Sequence, residues 1–269
     1  MMKYGDLESF IARRRRLFVL TGAGCSAPSG IPDYRDAEGR WKRVPPVTYQ
    51  AFMASEATRR RYWGRSLVGW RKFHAAAPNL AHRALARLER LGGSEVLLTQ
   101  NVDGLHQTAG SEGVIDLHGR LDRVRCMGCG ARTARSAFQE ALARRNPEWP
   151  ALEAAEAPDG DAELDGVDFS NFVTPACSAC GGVLKPDVVF FGESVPRDRV
   201  ERAYAHLAAA DAMLVVGSSL MVYSGYRFVE RAAASGKPIA VVNLGRTRAD
   251  ALASLKVEAP CEEALAFLL

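Results

Sequence analysis

Five short apolar runs in this chain stop abruptly on glycine, serine, asparagine, histidine or a polar cluster, and no other feature restricts the fold as much. Leu17–Leu20 runs into Thr21, Gly22, Ala23, Gly24, Cys25 and Ser26; Val96–Leu98 runs into Thr99, Gln100, Asn101, Val102 and Asp103. Val114–Leu117 ends on His118 and Gly119, Met213–Val216 on Gly217, Ser218 and Ser219, and Ile239–Val242 on Asn243, Leu244 and Gly245. Short apolar runs without alternation read as strands buried on both faces, the condition of a parallel sheet. Val188–Phe191 reads as a further strand. Helical patterns separate several of the runs. One covers Asn79 to Leu91, with Leu80, Ala84, Leu85, Leu88 and Leu91 on one face, a Pro78-Asn79 start and a Gly92-Gly93 stop. Another covers Arg199 to Ala209, with Val200, Tyr204 and Leu207 inward. The alternation predicts an α/β fold with a Rossmann-like, doubly wound parallel sheet. Ligands of such sheets bind beyond the carboxyl ends of the strands, so these polar strand ends predict a nucleotide cleft.

Two stretches break the rhythm. Residues 37–77 are rich in Arg, Trp and Tyr without a convincing strand, and residues 121–185 carry four cysteines and an acidic loop from Asp159 to Asp168. The expected division is a discontinuous nucleotide-binding domain (1–45, 75–120 and 186–269) and a smaller domain (46–74 and 121–185); 269 residues suffice for both. The acidic loop is expected to be solvated rather than a calcium loop, because Leu164 stands where an EF-hand needs its turn glycine. The chain lacks any run of about 18 apolar residues and an apolar leader, so a cytoplasmic protein without a membrane span is expected. A net charge of +4 is mild, and the basic block Arg13–Arg16 has no interleaved aromatics, so it reads as a solvated helix end rather than a nucleic-acid surface.

The cysteines carry the most specific local signal. Cys126-Met127-Gly128-Cys129 and Cys177-Ser178-Ala179-Cys180 are matched pairs, each followed by a glycine (Gly130, Gly181) that permits the tight turn of a zinc knuckle. A reduced compartment disfavours two disulfides. Four thiolates close the coordination sphere, so one structural Zn2+ is expected to hold the small domain and do no chemistry. The distance between the pairs implies a helical excursion near Ser136–Arg145.

The first strand end has the form of a phosphate turn, with backbone N–H groups and Ser26 placed to hold a diphosphate. A helix should follow, yet Pro28, Gly30 and Pro32 interrupt it. A dehydrogenase fingerprint is also incomplete: Ala27 takes the place of the third glycine, and Lys42 and Arg43 stand where an acidic residue should end a second strand. Hydride transfer is therefore disfavoured. His118 is the one histidine at a strand end, and its intrinsic pKa near neutrality makes it the leading general base.

Taken together these motifs resemble those of the sirtuin (Sir2) family, NAD-dependent protein lysine deacylases, over roughly residues 10–269. The carriers are Gly22 to Ser26, the segment Gly30-Ile31-Pro32-Asp33-Tyr34-Arg35, Thr99 to Asp103, Leu117-His118-Gly119, both cysteine pairs, Lys185 to Gly192, Gly217 to Ser219, and Asn243 to Gly245. Tyr62-Trp63, Val68-Gly69-Trp70, Tyr223-Ser224-Gly225-Tyr226 and the long gap between cysteine pairs are similar to a class II, mitochondrial sirtuin-4-like branch, of which this would be a bacterial-type relative. The proline-rich segment then corresponds to a mobile loop that closes over NAD and excludes water from the reactive ribose.

The resemblance implies the following roles. The acyl-lysine oxygen attacks the ribose as nicotinamide departs, and His118 deprotonates a ribose hydroxyl, which carries the acyl group away as O-acyl-ADP-ribose. Asn101 and Asp103 orient ribose and nicotinamide. Gly22, Ala23, Gly24, Ser26, Asp33, Tyr34, Arg35 and Gln100 serve the diphosphate side and the loop; Gly217, Ser218, Ser219, Asn243, Leu244, Gly245 and the backbone near Cys261 hold the adenosine. Val188, Val189, Phe190, Phe191 and Gly192 pair with an extended acyl-lysine peptide as an added strand. Tyr62 and Arg65 resemble the Tyr-x-x-Arg pair that grips an acyl carboxylate in desuccinylating relatives, so acidic or longer acyl groups are a possible preference. Cys25 replaces the Ile or Val of many relatives and reads as buried packing or as a redox sensor. The partners expected are acyl-lysine proteins or peptides, met by a monomer that needs no nucleic acid. An NAD-dependent ADP-ribosyltransferase and a catalytically weak NAD-sensing module are the alternatives.

Overall fold

The structure, a computed structural model, describes residues 4–42, 45–152, 155–157 (as backbone), 160–164 and 166–269. Arg43 and Asp159, both named above, lie outside the described residues. In chain order the elements are α1 (Gly5–Ala12), β1 (Leu17–Thr21), α2 (Ala23–Ser26), α3 (Tyr49–Ala54), α4 (Glu56–Ala75), α5 (Leu80–Arg90), β2 (Ser94–Thr99), α6 (Leu105–Thr108), β3 (Val114–Asp116), β4 (Gly119–Cys126), β5 (Arg132–Ala134) and α7 (Arg135–Arg145). There follow β6 (Ala155–Ala157), β7 (Asp161–Glu163), β8 (Leu184–Val188), α8 (Arg197–Ala209), β9 (Ala212–Val216), α9 (Tyr223–Ala234), β10 (Ile239–Val242), β11 (Leu255–Val257) and α10 (Cys261–Ala264).

Six strands form one parallel sheet in the order β11-β10-β9-β1-β2-β3. The chain leaves β1 toward one edge and returns to build the other edge from β9, so the order reverses between β1 and β9. That reversal is where a doubly wound sheet opens a crevice. The two-residue period of β1 separates two cores: Leu17 and Val19 join the layer with Leu85 and Leu88 of α5, whereas Phe18 and Leu20 join the layer with Leu207 of α8 and Phe228 of α9. With both faces covered, β9 and β10 are apolar throughout and β1 is apolar up to Thr21, which is why they were legible as runs.

A second, three-stranded antiparallel sheet, β5-β4-β8, packs with α3, α4 and α7 around Phe52, Trp63, Leu67, Trp70, Phe138, Leu142 and Phe172. Buried Arg135 sits in this core with its guanidinium 4.7 Å from the Trp70 ring and 3.2 Å from Ser66 O and Oγ, so its charge meets π-faces and acceptors rather than bare hydrocarbon. The hairpin of β6 and β7 lies against α4. Gly69 permits that approach, since a Cβ there would stand 2.5 Å from Gly160 O.

Some expectations are corrected. Val188–Phe191 is not a strand of the parallel sheet: β8 ends at Val188 within the antiparallel sheet, and Phe191 makes one bridge to Thr48. The edge strand β11 was missed because Leu255-Lys256-Val257 is no apolar run. Leu80 and Leu91, at the two ends of α5, are 49% and 70% exposed; at the first turn and the C-terminal cap the helical face no longer opposes the core.

Candidate active site

Beyond the carboxyl ends of β1, β2 and β9 lies a cleft of about 1040 Å³. It is walled by the glycine turn, the segment 31–37, Gln100 to Asp103, His118, residues 188–193, Gly217 to Ser224 and the α4 side chains Tyr62 and Arg65. Asn243 and Leu244 line it also, but Gly245 and Cys261 do not. Gly245 instead packs where a Cβ would meet Ala37 O at 2.5 Å, and Cys261 is buried at the start of α10.

Close backbone approach forms the floor. Gly24 N–H donates to Gly217 O at 2.8 Å, and a Cβ on Gly22 would stand 2.7 Å from Ser218 Cβ. Gly217 has φ +63°, and a Cβ on it would reach within 2.2 Å of Cys25 N. Only glycine allows this contact between the first turn and the loop after β9. The proline-rich segment does not continue α2 far: a 3-10 turn at Ala27–Ser29 ends on Gly30 with φ +86°. The chain then crosses the cleft, where the Arg35 guanidinium lies 4.0 Å over the Trp41 ring and donates to Gly39 O, while Lys42 pairs with Asp33 at 2.5 Å. Tyr34 stands edge-on to Trp41 and Phe191.

A continuous polar network joins the strand ends. Ser26 donates its hydroxyl to Asp103 Oδ2 at 2.7 Å, and Asn101 Nδ2 donates to Gly22 O and to Ser26 Oγ. Ser218 donates to Gln100 Oε1 at 2.6 Å. His118 Nδ1 is 2.9 Å from Gln100 O; a carbonyl only accepts, so Nδ1 carries the proton and Nε2 the lone pair. Nε2 meets Ser224 Oγ at 2.8 Å. Burial pulls the His118 pKa down to about 4, the Gln100 hydrogen bond opposing it, so the imidazole is neutral near pH 7.

Sequence reasoning missed Ser224, although Tyr223 to Tyr226 was noticed, and it missed Asp161, which was read as part of a solvated loop. Asp161 lines the cleft and pairs with Arg65 at 3.0 Å, while Arg65 Nε donates to Ala162 O at 2.8 Å. Burial pushes the Asp161 carboxyl up to about 6 against the pull of Arg65. Tyr62 is held among Phe52 and Phe190 with ring centroids 5.4 and 5.2 Å away.

The four-cysteine cluster lies in the small module. Cys126 Sγ is 3.5 Å from Cys180 Sγ and Cys129 Sγ is 3.8 Å from Cys177 Sγ, near the edge of about 3.8 Å of a tetrahedron with zinc–sulfur bonds of about 2.3 Å. Gly130 and Gly181 both take positive φ, and the N–H groups of Cys129 and Gly128 point at Cys126 Sγ. The donor set fits Zn2+ with every position filled by protein.

Comparison with known proteins gives consistent matches. Residues 22–224 match the Sir2 family model. The chain is 69% identical over 264 residues to the NAD-dependent protein deacetylase 2 of Bradyrhizobium diazoefficiens, covering 98% of this chain and 97% of that one. It is 48% identical over 266 residues to the mitochondrial NAD-dependent protein lipoamidase sirtuin-4 of Bos taurus, covering 98% and 84%. Among solved structures, a Sir2 complex with p53 peptide and NAD+ superposes with TM-score 0.78 at 31% identity, covering 99% of this chain and 97% of that one.

Proposed function

The chain belongs to the Sir2 family, and from that premise we propose that it is an NAD-dependent protein lysine deacylase whose general base is His118. One observation carries the assignment of the base: a neutral imidazole, its basic Nε2 defined by the Gln100 bond, lines the same cleft as the glycine turn and residues 188–192.

NAD, when bound, supplies a ribose carbon made electrophilic by departure of nicotinamide. Gly22, Ala23, Gly24 and Ser26 offer a cradle for the diphosphate, the two glycines letting the turn lie directly against Gly217 and Ser218 on the cleft wall. Asn101 and Asp103, already fixed by Ser26 and Gly22, orient ribose and nicotinamide. Gly217, Ser218, Ser219, Asn243 and Leu244 bound the adenosine side, and Gln100 accepts from Ser218. The segment from Asp33 to Arg35 covers the cofactor. In the free enzyme Ser224 occupies His118 Nε2; a substrate ribose hydroxyl replaces it and gives its proton to that nitrogen. A peptide laid along 188–192 finds Val189 N–H bonded to His118 O and Phe191 O accepting from Tyr49 N–H, so pairing falls to the other backbone groups.

The acyl end supports longer, uncharged acyl groups over acidic ones. Asp161 already compensates Arg65, so an acyl carboxylate would bring a second negative charge beside it. Tyr62 and Phe73 both line the cleft and give an acyl chain apolar surface to pack on. The reading is of a cytoplasmic monomer acting on acyl-lysine proteins without nucleic acid; no described helix is long and apolar enough to cross a membrane.

The test is incubation with NAD and an acyl-lysine peptide while nicotinamide is measured. Release that depends on peptide is expected. Release with NAD-derived labelling of protein would make the chain an ADP-ribosyltransferase, and no release would leave a binding module.

A further inference from the structure

One cluster of metal-ligating side chains plays no part in this reading. Cys25 of α2, His82 in the first turn of α5 and His106 of α6 each bring a ligand atom within 4.8 Å of the others, and all three side chains are buried, at 0, 0 and 1% exposure. The His82 and His106 ring centroids are 4.7 Å apart. We propose that these three residues form a second metal site, for a soft monovalent cation of the Cu+ class, beneath the cofactor turn and separate from the four-cysteine cluster.

The hydrogen bonds leave this cluster with an unused donor atom. Thr21 gives its hydroxyl proton to Thr99 Oγ1, so its oxygen accepts from His106 Nε2–H at 2.9 Å. That fixes the proton on Nε2 and leaves a lone pair on His106 Nδ1, which has no hydrogen-bond partner and is fully buried. A buried acceptor left unmade is costly, so it calls for an occupant. His82 is held loosely: Nδ1 accepts from Asn79 N–H at 3.3 Å and Nε2 meets Ser26 Oγ at 3.4 Å; ligation through Nε2 moves the ring proton to Nδ1 and forfeits these two long hydrogen bonds. Cys25 is fully buried in the apolar core that also holds Ala81, Ala84 and Leu85, where an uncompensated thiolate would be costly.

Charge selects the ion. Thiolate plus a monovalent cation plus two neutral imidazoles sum to zero, the arrangement that least penalises a buried site. Thiolate and imidazole together favour Cu+ over hard cations such as Mg2+. Binding forms a metal–sulfur bond, and the thiol proton leaves to solvent. Ser26 lines the cleft, so one hydroxyl separates the cluster from the cofactor space. Occupation withdraws His82 from Ser26 and loosens the Ser26–Asp103–Asn101 network, so the apparent KM for NAD should rise several-fold.

The experiment uses the zinc-loaded full chain, anaerobically, with Cu+ buffered by a competing chelator. Retention of one Cu+ with no loss of zinc is expected, with an X-ray absorption shell of one sulfur and one or two imidazole nitrogens. Cys25→Val, which places a residue found in many relatives, should lose that Cu+ and the rise in KM while keeping its zinc. No retained Cu+, an all-sulfur shell with zinc released, or undiminished Cu+ binding by Cys25→Val would overturn the site. The binding and absorption readouts stand whether or not the chain is a deacylase.

Discussion

The imidazole of His118 meets two demands that usually conflict: it stays neutral near pH 7, and it presents one defined nitrogen. Burial meets the first by lowering its pKa to about 4, and the Gln100 carbonyl meets the second by holding the proton on Nδ1. General-base catalysis is typically worth about 10²–10⁴-fold. His118→Ala is therefore expected to lose deacylated product by that factor while binding NAD within a few-fold of the parent, read by calorimetry and peptide mass. Product formation at the parental rate would remove His118 from the chemistry. Arg65 gives a second prediction at this scale. Its guanidinium is held by Asp161 and Ala162 O, so octanoyl-lysine peptide should be turned over faster than succinyl-lysine peptide. Asp161→Asn frees that charge and should raise kcat/KM for the succinyl peptide about ten-fold, the effect of some 1.4 kcal/mol. An unchanged succinyl rate in the variant would show that Asp161 does not set acyl choice.

Among elements, the decisive contact joins the loop after β9 to the turn after β1. Gly217→Ala puts a Cβ 2.2 Å from Cys25 N at a φ that costs an L-residue about 1–2 kcal/mol, so NAD affinity should fall more than ten-fold. Equal affinity in the variant would mean the turn does not cradle the cofactor. The zinc knuckle predicts the opposite kind of result. Four sulfurs fill the coordination sphere, so chelation should lower the melting temperature, and refilling with Cd2+ should restore both fold and turnover. A folded Cd2+ protein without turnover would give the metal a chemical role. These two elements were the most legible in the sequence, because close approach demands glycine and metal ligation demands cysteine at fixed spacing. The strands were legible where both faces are covered, as in β1, β9 and β10, and illegible in β11, where Lys256 interrupts. Asp161 was illegible for a different reason. Its segment carries Glu163, Asp165 and Asp168 and so reads as a solvated loop, and only the packing of β7 on Gly69 of α4 brings its carboxylate to Arg65.

At the scale of the whole molecule, two histidines near the cleft, His82 and His118, have pKa values lowered to about 4 by burial, and burial lowers His106 as well. The folded state holds them neutral, whereas the unfolded chain protonates them near 6.5. The unfolded state thus binds more protons between pH 6.5 and 4, and stability falls as pH drops through that window. Asp161, raised to about 6, works against this only below that value. The melting temperature should therefore fall between pH 7 and pH 5, by roughly 2–4 °C for each kcal/mol lost. A flat profile would contradict the buried neutral histidines. The glycine floor, residues 188–192 and His118 line one cleft at the sheet reversal between β1 and β9; if cofactor and peptide meet there, as proposed, the acyl acceptor is the direct readout of that arrangement. The measurement is mass analysis of the small-molecule products from NAD and an acyl-lysine peptide: the acyl group should appear on ADP-ribose, one for each nicotinamide released, and its appearance as free acid or on the protein itself would contradict the account.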